Sequence, residues 1–228
     1  MQVFNKINLS EQELQKSGGD FEKLFYEKVH HKYPNELVKQ PAGLKGVHLK
    51  PYQMDGLRFL VSMYIGNALQ RVPSVGKNVC GVCMADDMGL GKTLQTIAFI
   101  QYLHEKKLSK NPHLIITPLA VSDNWIREFQ RFAPDLHVIM YKGNERERCR
   151  REIMRHSTSG NIQSNYYQAI ITTYDYAMSD KAFFRKFVFE SIIVDEASRI
   201  KNCRSKLIGV LRDEITCKFR LLLSGTPL

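Results

Sequence analysis

Short apolar runs that alternate with helical segments are the feature that most constrains the fold of this chain. Six such runs occur in the sequence, at residues 79–85, 113–118, 137–143, 167–175, 191–197 and 219–227. Each run contains a continuous apolar stretch, which is typical of a strand buried on both faces. Strands of this kind, separated by helical patterns, predict an α/β fold in three layers: a mostly parallel central sheet with helices on both faces. Ligands of such folds gather at the carboxyl ends of the strands.

The stretch "DDMGLGKT" (86–93) follows the first run and opens a helical pattern. Its two glycines allow backbone N–H groups to surround a phosphate, and the helix N-terminus adds favourable charge. We expect Lys92 to reach the β- and γ-phosphates of ATP and the Thr93 hydroxyl to bind Mg²⁺. The full P-loop pattern has glycine where this chain has Asp86. The predicted nucleotide-binding residues here are Met88, Gly89, Leu90, Gly91, Lys92 and Thr93.

A second half of the same site is predicted at "IIVDEAS" (192–198). Asp195 follows an apolar run and is suited to hold Mg²⁺, directly or through water. Glu196, the next residue, could position and polarise the attacking water. The residues alone therefore predict a catalytic set of Lys92, Asp195 and Glu196.

The net charge indicates the kind of binding partner, and the cysteines indicate whether the chain is suited to an oxidising compartment. The formal net charge of +10 favours a polyanionic partner, most commonly nucleic acid. Five cysteines in a chain without a signal-peptide pattern argue against a disulfide framework. Cys80 and Cys83 form a CxxC, but positions three apart in a strand face opposite sides, so we interpret them as structural rather than as zinc ligands. No apolar run reaches the roughly 18 residues that a membrane span needs.

Residues 1–47 differ in pattern from the rest and are predicted to form a short, helical N-terminal extension. "SEQELQKS" and "DFEKLFYEKVHHKY" have helical patterns, the second with Asp20 as a helix cap, and prolines follow. The remaining residues, 48–228, are predicted to form the nucleotide-binding domain.

Six motifs together resemble those of the SWI/SNF-type chromatin-remodelling ATPases, which belong to the helicase-like superfamily with two RecA-like lobes. "DDMGLGKT", "VDEASRIKN" and "LLLSGTPL" resemble motifs I, II and III, and "LKPYQMDGLRFL" (49–60) resembles the Q motif. "LIITPLAVSDNWIREFQRFAP" (114–134) and "IITTYD" (170–175) resemble motifs Ia and Ib. The resemblance covers 48–228 and implies a RecA-like P-loop domain, the first lobe.

The resemblance also implies roles for matching residues. Gln53 would contact the adenine edge, and the residues of motifs I and II would act as described above. In motifs Ia and Ib, the residues approaching one DNA strand would be Thr117, Pro118, Thr172 and Thr173. Coupling of the nucleotide to lobe movement would involve Ser198, Ser224, Gly225 and Thr226. Trp125 matches the family's "NW" position, and we interpret it as a packing residue rather than a base-stacking one.

Three departures from the family pattern bear on activity. Asp86–Asp87 stands where aspartate–glutamate is usual, and Ser198 replaces the histidine of the DEAH box, which puts coupling to motif III in doubt. The chain also ends inside motif III, so we expect a fragment whose second, C-terminal lobe is absent. Since arginine fingers contribute about 10³–10⁵ in rate, this fragment should hydrolyse little ATP by itself.

The leading interpretation is thus an ATP hydrolase lobe of a double-stranded-DNA-dependent motor, a nuclear chromatin remodeller or DNA translocase whose target would be nucleosomes. Two alternatives stay open. One is a helicase of the same superfamily that acts on RNA or DNA. The other is a degenerate, non-catalytic scaffold that binds nucleic acid, for which Ser198 would be the sign. ATP and Mg²⁺ are the expected cofactors of the leading interpretation and of the helicase alternative.

Overall fold

The central element is a parallel sheet. The structure, a computed structural model, describes residues 38–69, 81–87, 89–158, 161–162, 166–200 and 206–225. The strands are β1 Gly81–Met84, β2 His113–Thr117, β3 Val138–Tyr141, β4 Ser157–Thr158, β5 Asn161–Ile162, β6 Ala169–Thr173, β7 Val188–Val194 and β8 Thr216–Leu223. Six of them form one sheet in the order β1-β8-β7-β2-β6-β3, with every pair parallel, and β4 and β5 form a small antiparallel hairpin. The predicted α/β sheet is confirmed.

Helices connect the strands. They are α1 Pro51–Leu69, α2 Lys92–Glu105, α3 Leu119–Phe132, α4 Arg146–Arg155, α5 Tyr174–Ser179, α6 Lys181–Phe184 and α7 Lys206–Gly209, which continues as a π-helical turn, Val210–Glu214. Pro51 occupies the first position of α1, where its missing N–H has no helical partner to lose. The helical patterns expected between the apolar runs correspond to α2, α3, α4 and α7 with its π-helical turn.

The helices cover both faces of the sheet, as the continuous apolar strands predict. Successive residues of β2 point to different cores: Ile115 joins the cluster beneath α1, α2 and α3, whereas Leu114 and Ile116 join the one beneath α4, α5 and α6. All three of these side chains have no exposed surface. The domain therefore has three layers with two hydrophobic cores.

The carboxyl ends of the strands lie level with one another. On β8, Leu223 pairs with Met84 of β1, and Leu222 pairs with Val194 of β7. The loops that follow β1 and β7 therefore leave the same edge of the sheet, separated only by β8. Two strand spacings place them about 10 Å apart.

The opposite, amino-terminal edge is held by a buried carboxylate, Glu190, whose exposed fraction is 0%. Lys218 Nζ donates to both its oxygens at 3.0 Å, the backbone N–H groups of Lys110 and Asn111 donate at 2.8 and 3.1 Å, and the Tyr64 hydroxyl donates as well. Burial alone would raise the pKa of Glu190, but these hydrogen bonds and the charge of Lys218 outweigh burial and keep the pKa below its usual value.

The described part of the predicted N-terminal extension, residues 38–47, packs onto the domain. It contains turns and no helix, Val38 and Leu44 are buried in the core with α2 and α3, and Lys45 N donates to Phe132 O at 2.8 Å. The boundary at residue 47 stays a prediction, and the two predicted helices, with Cys80, Met88 and Thr226, lie outside the described residues.

No helix among the described residues is both long and apolar enough to cross a membrane. Within the same residues no group of three or more His, Cys, Asp and Glu side chains is arranged to hold a metal ion, and Cys83 is exposed.

Candidate active site

The loop that follows β1, residues 85–91, leads into α2 and is called the clamp loop below. Gly89 and Gly91 both have left-handed backbone conformations, with φ angles of 85° and 81°. Gly91 is the residue before α2 and provides no side-chain cap. The first N–H groups of α2 therefore have no partner within the helix and are available to an anion, next to the positive end of the helix dipole.

Lys92, the first residue of α2, is anchored at this loop. Its Nζ donates to the backbone carbonyls of Asp86 at 2.7 Å and Asp87 at 3.0 Å. An ammonium group has three N–H donors, so one remains for a phosphate oxygen. Thr93 follows and is half-buried.

Gln53 of α1 lies against the clamp loop. Its Oε1 accepts from Lys50 N at 3.0 Å, and its Nε2 donates to Leu90 O at 3.1 Å. A Cβ on Gly91 would stand 2.5 Å from Nε2, so only glycine allows this approach without displacement. Gln53 thus lies beside the residues predicted to bind phosphate, and its own predicted contact with adenine stays a prediction.

Asp195 and Glu196 follow β7 directly, as the sequence predicts. Asp195 Oδ2 accepts from Trp125 Nε1 at 2.8 Å and from Thr117 Oγ1 at 3.4 Å, and Oδ1 accepts from Glu196 N at 2.9 Å. Glu196 has a φ of 51°, which is unusual for a residue with a side chain. The Tyr174 hydroxyl donates to the backbone carbonyls of both acids.

Ser224 ties β8 to the clamp loop. It is fully buried, and its N–H donates to Met84 O, the last carbonyl of β1, at 3.0 Å. Gly225 follows, and Ser198 lies half-buried in the 3-10 turn Ala197–Ile200 that follows the two acids. Motif III is therefore attached to the strand that carries the clamp loop, and the coupling roles of these residues stay predictions.

The residues predicted to contact DNA end β2 and β6 at the same edge. Three are threonines whose hydroxyls have internal partners: Thr117 donates to Asp195, Thr172 donates to Tyr141 O at 3.0 Å, and Thr173 accepts from Tyr176 N at 3.4 Å. Pro118 is buried before α3, and Leu119, the first residue of α3, is 60% exposed. The predicted contacts of these four residues with DNA stay predictions.

Two features of the site were missed by sequence reasoning. The prediction that Trp125 packs in the core is confirmed, since it is 1% exposed, but its hydrogen bond to Asp195 was not foreseen. The contact of Tyr174 with both acids was also missed. Both link residues far apart in sequence, and no local pattern reveals such contacts.

Comparison with known proteins decides the family. The model of the SNF2-related domain matches residues 52–228. The chain belongs to the SNF2-related family. This SNF2-related chain is 40% identical over 205 residues to the SWI/SNF chromatin-remodeling complex subunit snf22 of Schizosaccharomyces pombe, and 38% identical over 207 residues to the nuclear protein STH1/NPS1 of Saccharomyces cerevisiae. These alignments cover 90% and 91% of the chain.

The SNF2-related fold is also found in solved structures. The Sulfolobus solfataricus SWI2/SNF2 ATPase core in complex with dsDNA is 33% identical, with a TM-score of 0.63 over 83% of this chain. The SNF2-related chain spans 34% of that core and only 11% and 14% of snf22 and STH1/NPS1.

Proposed function

We propose that this chain is the ATP-binding lobe of a double-stranded-DNA-dependent ATPase motor of the chromatin-remodelling type. One observation carries the proposal: the clamp loop with Lys92 and the acid pair Asp195–Glu196 leave the same sheet edge on strands separated only by β8. In this interpretation Lys92 and the α2 N-terminus bind the phosphates, Glu196 positions the attacking water, and Gln53 contacts adenine.

The residues assigned to Mg²⁺ fit a hard cation. Carboxylate and hydroxyl oxygens are the ligands it prefers, and Asp195 and Thr93 supply one of each. Asp195 Oδ1 accepts one hydrogen bond from the described residues, which leaves it acceptor capacity for a cation or a cation-bound water. Bound Mg²⁺ would neutralise charge on the phosphate oxygens.

The partners are part of the same proposal. The similarity to a core solved with dsDNA, together with a net charge of +10, supports duplex DNA as the polyanion. The similarity to remodeller subunits supports nucleosomes as the target and the nucleus as the compartment. Because this chain spans about a third of that core, we assign turnover to this lobe acting with a second, C-terminal RecA-like lobe.

The nucleotide site is tested by calorimetric titration with Mg²⁺ and a non-hydrolysable ATP analogue. We expect the chain to bind the analogue, Lys92→Ala to abolish binding, and Lys110→Ala, at the opposite sheet edge, to bind like the unmodified chain. Unchanged affinity in Lys92→Ala would refute the assignment of the clamp loop.

The DNA assignment is tested by binding of a labelled duplex over a range of salt concentrations, with double-stranded RNA as the comparison. Backbone contacts release counterions, so the logarithm of affinity should fall linearly and steeply with the logarithm of salt concentration. A flat dependence, or stronger binding to RNA, would contradict the assignment.

A further inference from the structure

The indole of Trp125 is hydrogen-bonded to a carboxylate of the proposed active site. Trp125 lies in α3, 1% exposed, and its Nε1 donates to Asp195 Oδ2 at 2.8 Å. The ring also packs against Phe129 with centroids 6.2 Å apart. Because the ring is enclosed by packing, the direction of its N–H is fixed.

The acceptor positions of Asp195 are used unequally. An ionised carboxylate oxygen accepts about two hydrogen bonds. Among the described residues, two donors reach Oδ2: Trp125 Nε1 and, at the longer distance of 3.4 Å, Thr117 Oγ1. Only Glu196 N, within the same residues, donates to Oδ1. Oδ1 is therefore the oxygen with capacity left for a further ligand, and the two donors on Oδ2 fix the carboxylate in that orientation.

Both donors on Oδ2 come from one segment of the chain. Thr117 ends β2 and Trp125 lies eight residues later in α3, while Asp195 lies on the neighbouring strand end. The orientation of the carboxylate thus depends on the position of α3 relative to β7. A shift of α3 would therefore change the hydrogen bond from Trp125 to Oδ2.

We propose that Trp125 is a positioning residue for the Mg²⁺–nucleotide: its N–H holds Asp195 so that Oδ1 is presented to the metal. The inference rests on the proposed function, because it takes Asp195 as the metal-binding acid. Donors that orient a ligating carboxylate typically change metal affinity about 10–100-fold when removed.

The test measures nucleotide affinity with and without the metal. The ATP analogue is titrated into the full chain in Mg²⁺ and, separately, in EDTA, for the unmodified chain and for Trp125→Phe. We expect the variant to lose about 10–100-fold of affinity in Mg²⁺ and to bind as the unmodified chain does in EDTA. Phe129→Leu is the matched control, since it loosens the same packing without removing a donor, and it should keep the normal Mg²⁺ dependence.

A second variant removes only the N–H. Trp125 is the single tryptophan of the chain, so biosynthetic replacement by 3-benzothienylalanine, which has sulfur in place of N–H, alters this position alone. Its shape is nearly that of tryptophan, so it separates the hydrogen bond from the packing if Trp125→Phe fails to fold. We expect the same selective loss in Mg²⁺.

The unmodified protein provides an independent readout. All tryptophan fluorescence of the chain comes from Trp125. Its fluorescence emission should change when Mg²⁺ is added to the chain with bound analogue, and should not change when Mg²⁺ is added to Lys92→Ala.

The outcomes separate the two proposals. Equal losses in Mg²⁺ and EDTA, or no loss in either N–H-deficient protein, overturn the role of Trp125 while leaving ATP binding intact. A chain that binds no analogue under any condition overturns the proposed function, and this inference with it.

Discussion

The buried histidine at the start of β2 should make stability depend on pH in a defined window. His113 is 1% exposed, with Nδ1 2.7 Å from Ser191 Oγ and Nε2 3.1 Å from Ser109 Oγ. Burial lowers its pKa from the ordinary 6.5 to about 4; the nearby Glu190 carboxylate opposes the shift, and Lys218 and His104 add to it. The imidazole is therefore neutral in the folded protein at neutral pH.

The sign follows from linkage. Below pH 6.5 His113 binds a proton in the unfolded chain, whereas in the folded chain it stays neutral until about pH 4. Acid therefore favours the unfolded state. The stabilisation is complete above pH 6.5 and is lost as the pH falls towards 4. At 1.36 kcal/mol per pKa unit, the loss amounts to about 3 kcal/mol.

Urea unfolding between pH 7.5 and 4 measures this loss. We expect His113→Gln to be less stable at neutral pH but to show a free energy of unfolding that falls with acid by about 3 kcal/mol less than in the unmodified chain. His48→Gln, which changes an exposed histidine that is not among the groups acting on His113, controls for removal of an imidazole. Parallel pH profiles for the unmodified chain and His113→Gln would refute the reasoning.

Two further predictions concern the opposite edges of the sheet. Gly91→Ala should weaken binding of the ATP analogue more than Gly89→Ala does. Both substitutions strain a left-handed residue by about 1 kcal/mol, but only a Cβ at position 91 meets Gln53 Nε2, at 2.5 Å. Equal losses of affinity by calorimetry would contradict a role for Gln53 at the loop. Glu190→Gln should lower the free energy of unfolding by about 3–5 kcal/mol, since its NH₂ must face two donors; a urea midpoint within error of the unmodified chain would contradict the network.

The fold was predictable because it depends on local patterns. Each of the six apolar runs overlaps a strand of the sheet, but the last two strands begin earlier than predicted: β7 at Val188 rather than 191, and β8 at Thr216 rather than 219. In both cases the predicted start follows a charged residue, Glu190 or Lys218, because a charge is not expected in a buried strand. The two side chains form an ion pair with each other at the amino-terminal edge of the sheet, so the strands include them.

The site was predictable in part. Paired glycines after a strand, a following lysine and acids at a strand end are local signals, and all of them lie at the expected edge of the sheet; their roles stay predictions. What holds Asp195 was not predictable, because Trp125 and Tyr174 come from elements 70 and 21 residues away. Their donors are fixed by the packing of α3 and α5 on the sheet, which no short stretch of sequence specifies.

The backbone of Glu196 has a consequence for the evolution of this protein. A left-handed conformation costs a residue with a side chain roughly 1–2 kcal/mol relative to its ordinary conformation, and glycine at the same position would avoid most of that cost. Glu196→Gly should therefore yield a more heat-resistant protein that lacks the carboxylate proposed to orient the attacking water. Selection for thermal stability alone would favour replacement of Glu196 by glycine. Retention of Glu196 in a lineage would therefore indicate selection for ATP turnover.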